Sequence, residues 1–330
     1  MKLTDFDYNL PKELIAQYPL QERDSAKLLV LNRAQQTIEH RLFRDIPEYL
    51  NKDDLLVLNN VKVLRARLKG SRLSGGKVEI LLLRHKSGLT FDALIKPSRI
   101  KTGEKIIFNG NKTSGIISAK NEITFQAQGL DTIYSLGTMP LPPYIKRPPQ
   151  DSDNIYYQTV YAKEGGAIAS PTAGLHFTEG LLRKIGSSGI NIAYITLHVG
   201  YSTFRPVKCE DVALHRMEPE YFNIPDEALK LIDNAARNKR RIFAVGTTSL
   251  RALETYSIHG LRRGYTDLFI YPGYRFNMAD CLLTNFHLPR TTLFMLVCAF
   301  AGMELAKEAY QEAIEHKYRF YSYGDAMLII

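Results

Sequence analysis

The chain has 330 residues, 45% of them hydrophobic, and a formal net charge of +9. Its length predicts about two domains, with enough apolar material for a sizeable core that folds unaided. Three cysteines, Cys209, Cys281 and Cys298, stand far apart without a C-x-x-C pair, which excludes a disulfide framework, a cysteine-built zinc site and a three-cysteine iron–sulfur cluster.

The first 20 residues carry Asp5, Asp7 and Glu13 and are broken by Pro11 and Pro19, unlike a secretory signal. The longest uncharged apolar run, residues 293–303, is too short to cross a bilayer. None of the eight histidines lies three or four residues from another, so a helix-borne histidine pair for a metal is missing as well. The expectation is a soluble cytoplasmic monomer with no membrane contact, no resident cofactor and no metal.

In chain order, the pattern predicts a short helix at 11–16, a strand at 27–32, a helix around 46–50 and a strand in DLLVLNN, 54–60. Residues 61–130 then change texture. Six short runs, VKVLRARLKG, KVEILLLRHK, LTFDALIKP, EKIIFNG, SGIISAK and EITFQAQ, are aliphatic or β-branched and partly alternate with polar residues. Short strands at regular spacing with no helix between them predict a small antiparallel barrel or sandwich. This block holds 14 Lys/Arg against four acids, a net of +10, so the rest of the chain is close to neutral. A basic excess confined to one module is the footprint of a polyanion partner, because phosphate neutralisation dominates nucleic-acid affinity. A sheet face kept soluble by Lys and Arg has the same composition. The module ends in MPLPPYIKRPPQ, whose prolines forbid ladder or helix and mark a boundary.

Beyond it, strand-like runs alternate with helical patterns, as in an α/β domain. The predicted architecture is an α/β domain formed by residues 1–60 and 151–330, interrupted by an inserted basic β module at 61–150 that includes the proline-rich exit linker. Several strands of the second half end in small, polar or aromatic residues. GAIASPTAGLHFTEGLL runs from a strand through Thr172 and Gly174 to His176 and a helix capped by Thr178, and NIAYITLHVGYSTFRPV carries His198 and Gly200 at its end. RRIFAVGTTSLRALETY turns at Gly246 into a helix opened by Thr247 and Thr248, DLFIYPGYRF reads as a strand ending at Tyr271, and CLLTNFHLPRTTLFML ends at Asn285 and His287.

Ligands of α/β sheets sit beyond the carboxyl ends of the strands, where helix N-termini offer free N–H groups. Each segment alone is an ordinary cap or turn, and a lone histidine is ordinarily structural. Three histidines at equivalent strand ends point to one composite site. Tyr201, Phe204, Tyr271, Tyr274 and Phe276 cluster at the same ends and suit stacking on a base, facing a cation, or interdomain packing. VGTTSLR lacks the spacing of a P-loop and no G-x-G-x-x-G follows a strand, which excludes nucleotide loops of those types.

Together, SPTAGLHFT, LHVGYSTFRPV, AVGTTSLRALE, FIYPGYRF, LLTNFHLPRTTLFML and YRFYSYGDAMLI, with LIAQYPLQERDSAKLLVLNR, GGKVEILLLR, ALIKPSR and MPLPPYIKR in the N-terminal half, resemble the S-adenosylmethionine:tRNA ribosyltransferase-isomerase family of queuosine biosynthesis. The resemblance spans nearly the whole chain. It implies an α/β domain with an inserted six-stranded antiparallel β-barrel. It also implies transfer of the ribosyl part of S-adenosylmethionine to 7-aminomethyl-7-deazaguanine at the tRNA wobble position and isomerisation to an epoxycyclopentane. The products are epoxyqueuosine in tRNA, adenine and methionine. S-Adenosylmethionine is then a consumed co-substrate rather than a cofactor, and the tRNA anticodon arm is the macromolecular partner. Two stretches depart from the family pattern. NNVKVLRAR has Val61, Lys62 and Arg65 where the family carries Thr, Arg and Pro, and LHRMEPEY has Glu218 where many members carry a second histidine.

In that reaction the sulfonium acidifies the adjacent ribose 5′ carbon, so a base of near-neutral pKa is required, and a second histidine or a carboxylic acid suits protonation of adenine. The candidates are His176, His198 and His287, with His215 and Glu218 behind them. Candidates for contacts to S-adenosylmethionine are Thr172, Gly174, Gly200, Tyr201, Phe204, Thr247, Thr248, Arg251, Tyr271 and Asn285, with Arg251 one turn beyond the threonine pair to receive a carboxylate. Arg65, Arg67, Lys77, Lys96, Arg99, Lys146 and Arg147 are the candidate phosphate contacts. Two other readings stay open on the residues alone: an RNA-binding protein without catalysis, and a small-molecule hydrolase using the strand-end histidines, the latter without a G-x-S-x-G elbow to support it.

Overall fold

The structure, a computed structural model, describes residues 1–110, 112–200 and 207–330. Its strands in chain order are β1 (Lys27–Asn32), β2 (Thr37–Leu42), β3 (Leu55–Asn59), β4 (Val61–Val63), β5 (Arg67–Arg72), β6 (Lys77–Ser87), β7 (Thr90–Lys96), β8 (Lys105–Phe108), β9 (Thr113–Ala119), β10 (Glu122–Gln126), β11 (Glu164–Ala167), β12 (Asn191–Leu197), β13 (Glu220–Asn223), β14 (Ile242–Val245), β15 (Arg263–Thr266), β16 (Cys281–Asn285) and β17 (Ala326–Ile329). The α-helices are α1 (Leu130–Ser135), α2 (Asp153–Tyr156), α3 (Glu179–Ser187), α4 (Asp226–Arg237), α5 (Thr247–His259), α6 (Thr292–Ala301) and α7 (Met303–Glu315).

Nine strands form one mixed sheet in the order β15-β13-β12-β3-β14-β16-β17-β1-β2. At its centre β12, β3, β14 and β16 run parallel, so their carboxyl ends open on one edge. The sequence of β3, LLVLN, explains its central place: all five residues are buried, Leu55 and Val57 in the core on one face, Leu56 and Leu58 in the core on the other. A strand covered on both faces is apolar without a break. Residues from α4, α5, α6 and α7 fill the first face, and residues from α3 with Phe43 and Ile46 fill the second. The apolar run at 293–303 lies largely in α6, most of which is buried in that first core. Among the described residues no helix is long and apolar enough to cross a membrane.

The inserted module is a closed six-stranded barrel, β10-β7-β6-β5-β8-β9, with every pairing antiparallel. Leu68, Ile80, Phe91, Ile106, Phe108 and Ile123 fill its interior. The run VKVLRARLKG, expected as one barrel strand, is two strands. β4 stays outside the barrel and pairs in parallel with β11 as a neck between barrel and sheet. Asn59 turns the chain there: its Nδ2 donates to the Leu197 carbonyl at 2.9 Å, and its Oδ1 accepts from the Val61 N–H at 3.2 Å and the Leu197 N–H at 3.1 Å.

Two other expectations are corrected. DLFIYPGYRF is not a strand, because β15 ends at Thr266 and the following chain folds around the buried Glu254 carboxylate. That carboxylate accepts from the N–H groups of Asn277 (2.9 Å), Met278 (3.0 Å) and Ala279 (3.1 Å) and from the Tyr274 hydroxyl (3.1 Å), so these loop amides are satisfied without a ladder. The helices expected at 11–16 and 46–50 are 3₁₀ turns, Lys12–Leu14 and Phe43–Tyr49, the second with Pro47 inside it.

Candidate active site

At the carboxyl edge of the parallel strands, Thr172, Thr247, Thr248, Asn285 and His287 line one cavity. Gly246 makes the turn from β14 into α5 with φ +89°, a left-handed value that suits glycine. No side chain caps α5, whereas Thr178 caps α3 and Thr291 caps α6. The first-turn N–H groups of α5 therefore face the cavity without a side-chain acceptor, together with the positive end of the helix dipole.

Three buried polar atoms of the lining, Ser170 Oγ, Thr248 Oγ1 and Asn285 Oδ1, have no hydrogen-bond partner among the described residues. Each such atom costs about 1–3 kcal/mol, and their concentration in one cavity marks a seat for a polar ligand. Among the described residues the lining holds no Asp, Glu, Lys or Arg.

A larger cleft of about 740 Å³ lies between barrel and sheet, a volume suited to a ligand. Arg84, Phe91 and Tyr134 line it from the barrel side, and His198, Gly200 and Glu218 from the sheet side. Val199 borders both spaces, so the segment after β12 joins them.

The His198 N–H donates to the Tyr221 carbonyl at 2.9 Å, and the ring packs edge-on to Tyr221 at 5.6 Å. Gly166 gives the ring its room, since a Cβ at that position would sit 2.5 Å from it. Burial lowers the His198 pKa from its ordinary value while Glu164 opposes the shift. The imidazole is neutral at pH 7 and open to a proton.

His287 lines the cavity with Nε2 2.9 Å from the Thr284 hydroxyl, and burial pushes its pKa down to about 3. His176 stands behind the cavity wall: its Nε2 is 3.2 Å from Asn285 Nδ2 and its ring lies 5.0 Å from that of Phe43. Burial, aided by Arg23 and Arg319, holds its pKa at about 3. Neither ring has the proton affinity that a general base needs near neutrality.

Several candidates are committed elsewhere. Arg251 is buried: its guanidinium pairs with Glu220 and its Nε donates to the Leu268 carbonyl at 3.0 Å, so it does not receive a carboxylate at the cavity. Gly174 packs against Tyr161 instead of the cavity. Tyr271 lies on Phe269 at 5.1 Å and His215 on the same ring at 5.0 Å. Tyr201 and Phe204 lie outside the described residues.

Of the basic candidates, Lys77, Lys96, Arg99 and Lys146 are exposed. Arg65 is exposed but donates to the Gly137 carbonyl at 2.9 Å, and Arg67 is held by Glu79 at 2.5 Å. Arg147 closes on Asp153 through two nitrogens at 2.8 and 2.7 Å, an internal lock of the linker.

Other lining residues went unread as site residues: Tyr144, Ser170, Thr284, Tyr321 and Ser322. The polar run YSYGD just before the last apolar strand is the signal that marks two of them. One histidine pair comes together across the fold rather than along the chain. His40 of β2 meets Glu312 and His316 at the end of α7, each offering a ligand atom within 4.8 Å of the others; chain spacing does not reveal such a meeting.

The family described as Queuosine biosynthesis protein matches residues 3–329. The chain is 52% identical, over the full length of both proteins, to the S-adenosylmethionine:tRNA ribosyltransferase-isomerase of Sulfurihydrogenibium sp. (strain YO3AOP1). The chain belongs to the S-adenosylmethionine:tRNA ribosyltransferase-isomerase family. The Aquifex aeolicus (strain VF5) enzyme of the same name is 48% identical, again over the full length of both. A crystal structure of the S-adenosylmethionine tRNA ribosyltransferase from Thermotoga maritima, 37% identical, aligns over 99% of this chain and 100% of that one with a TM-score of 0.58. As a member of this enzyme family the chain carries the α/β sheet and inserted barrel that its motifs implied.

Proposed function

We propose that this enzyme transfers and isomerises the ribosyl moiety of S-adenosylmethionine onto 7-aminomethyl-7-deazaguanine at the wobble position of tRNA, giving epoxyqueuosine-tRNA and releasing adenine and methionine. The observation that carries the proposal is the junction at Val199 of two unlike spaces. One is a cavity at the mouth of α5 whose described lining carries polar atoms without partners there and no Asp, Glu, Lys or Arg, suited to a nucleoside. The other is a cleft beside the basic barrel, suited to a nucleotide splayed out of an anticodon loop.

In this reading His198, at the junction, takes the proton from the ribose 5′ carbon next to the sulfonium. Its neutral form at pH 7 and its place in the cleft support the role. Lys77, Lys96, Arg99 and Lys146 steer and hold the tRNA backbone. The enzyme acts as a cytoplasmic monomer and consumes S-adenosylmethionine, with no resident cofactor.

The test is incubation with S-adenosylmethionine and tRNA bearing the aminomethyl-deazaguanine, following free adenine by chromatography and tRNA mass by spectrometry. Adenine release with a matching gain in tRNA mass is expected, and His198→Ala should abolish both while tRNA affinity holds. TRNA binding with no adenine release would leave only an RNA-binding protein.

A further inference from the structure

Asn285 ends β16 almost wholly buried, and its amide has only one possible orientation. Its Nδ2 lies 3.1 Å from the Tyr321 carbonyl and 3.2 Å from His176 Nε2. A carbonyl oxygen only accepts, so the amide nitrogen must be the atom that faces it; the flipped amide would set two oxygens against each other. With one N–H given to Tyr321 and the other to His176, Nε2 of His176 must be bare and its proton must sit on Nδ1. Burial and the nearby Arg23 and Arg319 keep a second proton off that ring, so the arrangement persists at neutral pH. What remains is Asn285 Oδ1, an acceptor without a partner on a residue that lines the cavity.

We infer that this cavity is the adenine subsite and that Asn285, locked by His176 and the Tyr321 carbonyl, reads the 6-amino group of the base. The inference rests on the reading of the site as one for S-adenosylmethionine. Of that molecule's two ends, the methionine end carries the ammonium, the carboxylate and the neighbouring sulfonium, while the base carries no charge. Among the described residues the cavity lining has no charged side chain, so it suits the base, and the charged end lies outward.

The edge of a 6-aminopurine presents a donor at position 6 beside an acceptor at N1. Asn285 Oδ1 supplies the acceptor, and the Thr248 hydroxyl, also unpartnered, is a donor for a ring nitrogen. A 6-oxopurine presents the reverse pattern and sets its oxygen against Asn285 Oδ1. His176 is therefore a positioning residue: it acts on the substrate through Asn285 and does not touch it.

The test compares binding of 5′-deoxy-5′-methylthioadenosine with its 6-oxo counterpart by calorimetry on the full chain. The wild type should prefer the amino compound by about tenfold to a hundredfold, as a buried acceptor left facing an acceptor demands. Asn285→Leu should bring that preference close to unity, and His176→Phe, which leaves only the Tyr321 carbonyl to hold the amide, should weaken it. His176→Gln, whose side-chain oxygen restores an acceptor, should recover it, whereas a purely structural role for His176 would alter stability and leave the preference alone.

A wild-type preference near unity overturns the inference without recourse to any variant. Unchanged preference in folded His176→Phe removes His176 from it. Failure of the underlying reading is distinct: no adenine would be released from S-adenosylmethionine with modified tRNA. An enzyme that releases adenine but does not discriminate the two nucleosides keeps its function and places the base elsewhere.

Discussion

Arg251 and Glu220 form an ion pair with side chains only 4% and 2% exposed. Glu220 also accepts from the Gly200 N–H at 2.7 Å, so the pair ties α5 and β13 to the segment that joins cavity and cleft. Removing one partner strands the other charge in the interior, a cost of about 3–5 kcal/mol. Arg251→Met should therefore lower the urea midpoint sharply, and Arg251→Met combined with Glu220→Leu should recover a good part of the loss. A single variant as stable as the wild type would show that the pair holds nothing together.

Acid should loosen the fold through two histidines. Burial holds His176 and His287 neutral, with pKa values pushed to about 3 from an ordinary 6.5. Between those values the unfolded chain binds more protons than the folded one, so stability falls as pH falls from 6.5 toward 3. The slope approaches about 1.4 kcal/mol per pH unit for each ring. Urea midpoints should drop steadily from about pH 7 to about pH 4.5, and less steeply in His287→Gln. Equal slopes in the two proteins would take His287 out of the account.

The central strands and the barrel were legible because burial writes itself into composition. LLVLN, buried on both faces, is apolar throughout, and the barrel strands alternate around one interior. β2 was not legible: TIEHRL is a largely exposed edge strand whose charges discourage further pairing and leave no apolar stripe. The cavity threonines and Asn285 could be placed because strand ends and helix starts carry their own residue signature. Arg251 could not, since a basic residue one turn into a helix is ordinarily solvated, and its partner Glu220 lies 31 residues away with nothing to mark the pairing. His176 was legible as a strand-end residue, but its contact with Asn285 was not, because that contact spans 109 residues.

Gly166 offers a probe of His198 that leaves the imidazole chemically intact. Its φ is +136°, and an added Cβ would meet the His198 ring at 2.5 and 2.6 Å. Gly166→Ala should displace the ring and reduce turnover by about a hundredfold, as a misplacement of about 1 Å does, with tRNA affinity near that of the wild type. Because burial lowers the His198 pKa, wild-type turnover should rise with pH with its midpoint below 6.5, the ordinary value. Wild-type turnover in Gly166→Ala would mean that the position of this ring is immaterial.

Lys146 and Arg147 are adjacent cations with opposite expected effects. Lys146 is exposed, as are Lys77, Lys96 and Arg99, and a lysine that neutralises a phosphate releases counterions when tRNA binds. Lys146→Ala should weaken tRNA binding and flatten the dependence of log K on log salt by about 0.7–1. Arg147 is only 9% exposed and gives two of its hydrogen bonds to Asp153, which is fully buried and also accepts from the Tyr323 hydroxyl at 2.7 Å; the others go to the Gln17 and Pro148 carbonyls. Its guanidinium lies 4.5 Å over the Tyr18 ring as well. Arg147→Ala should lower the melting temperature by leaving Asp153 unpaired, and should keep the salt slope of the wild type. Filter binding at four salt concentrations, with thermal melts of the same samples, separates the two roles. A flattened slope in Arg147→Ala would return that residue to the tRNA surface.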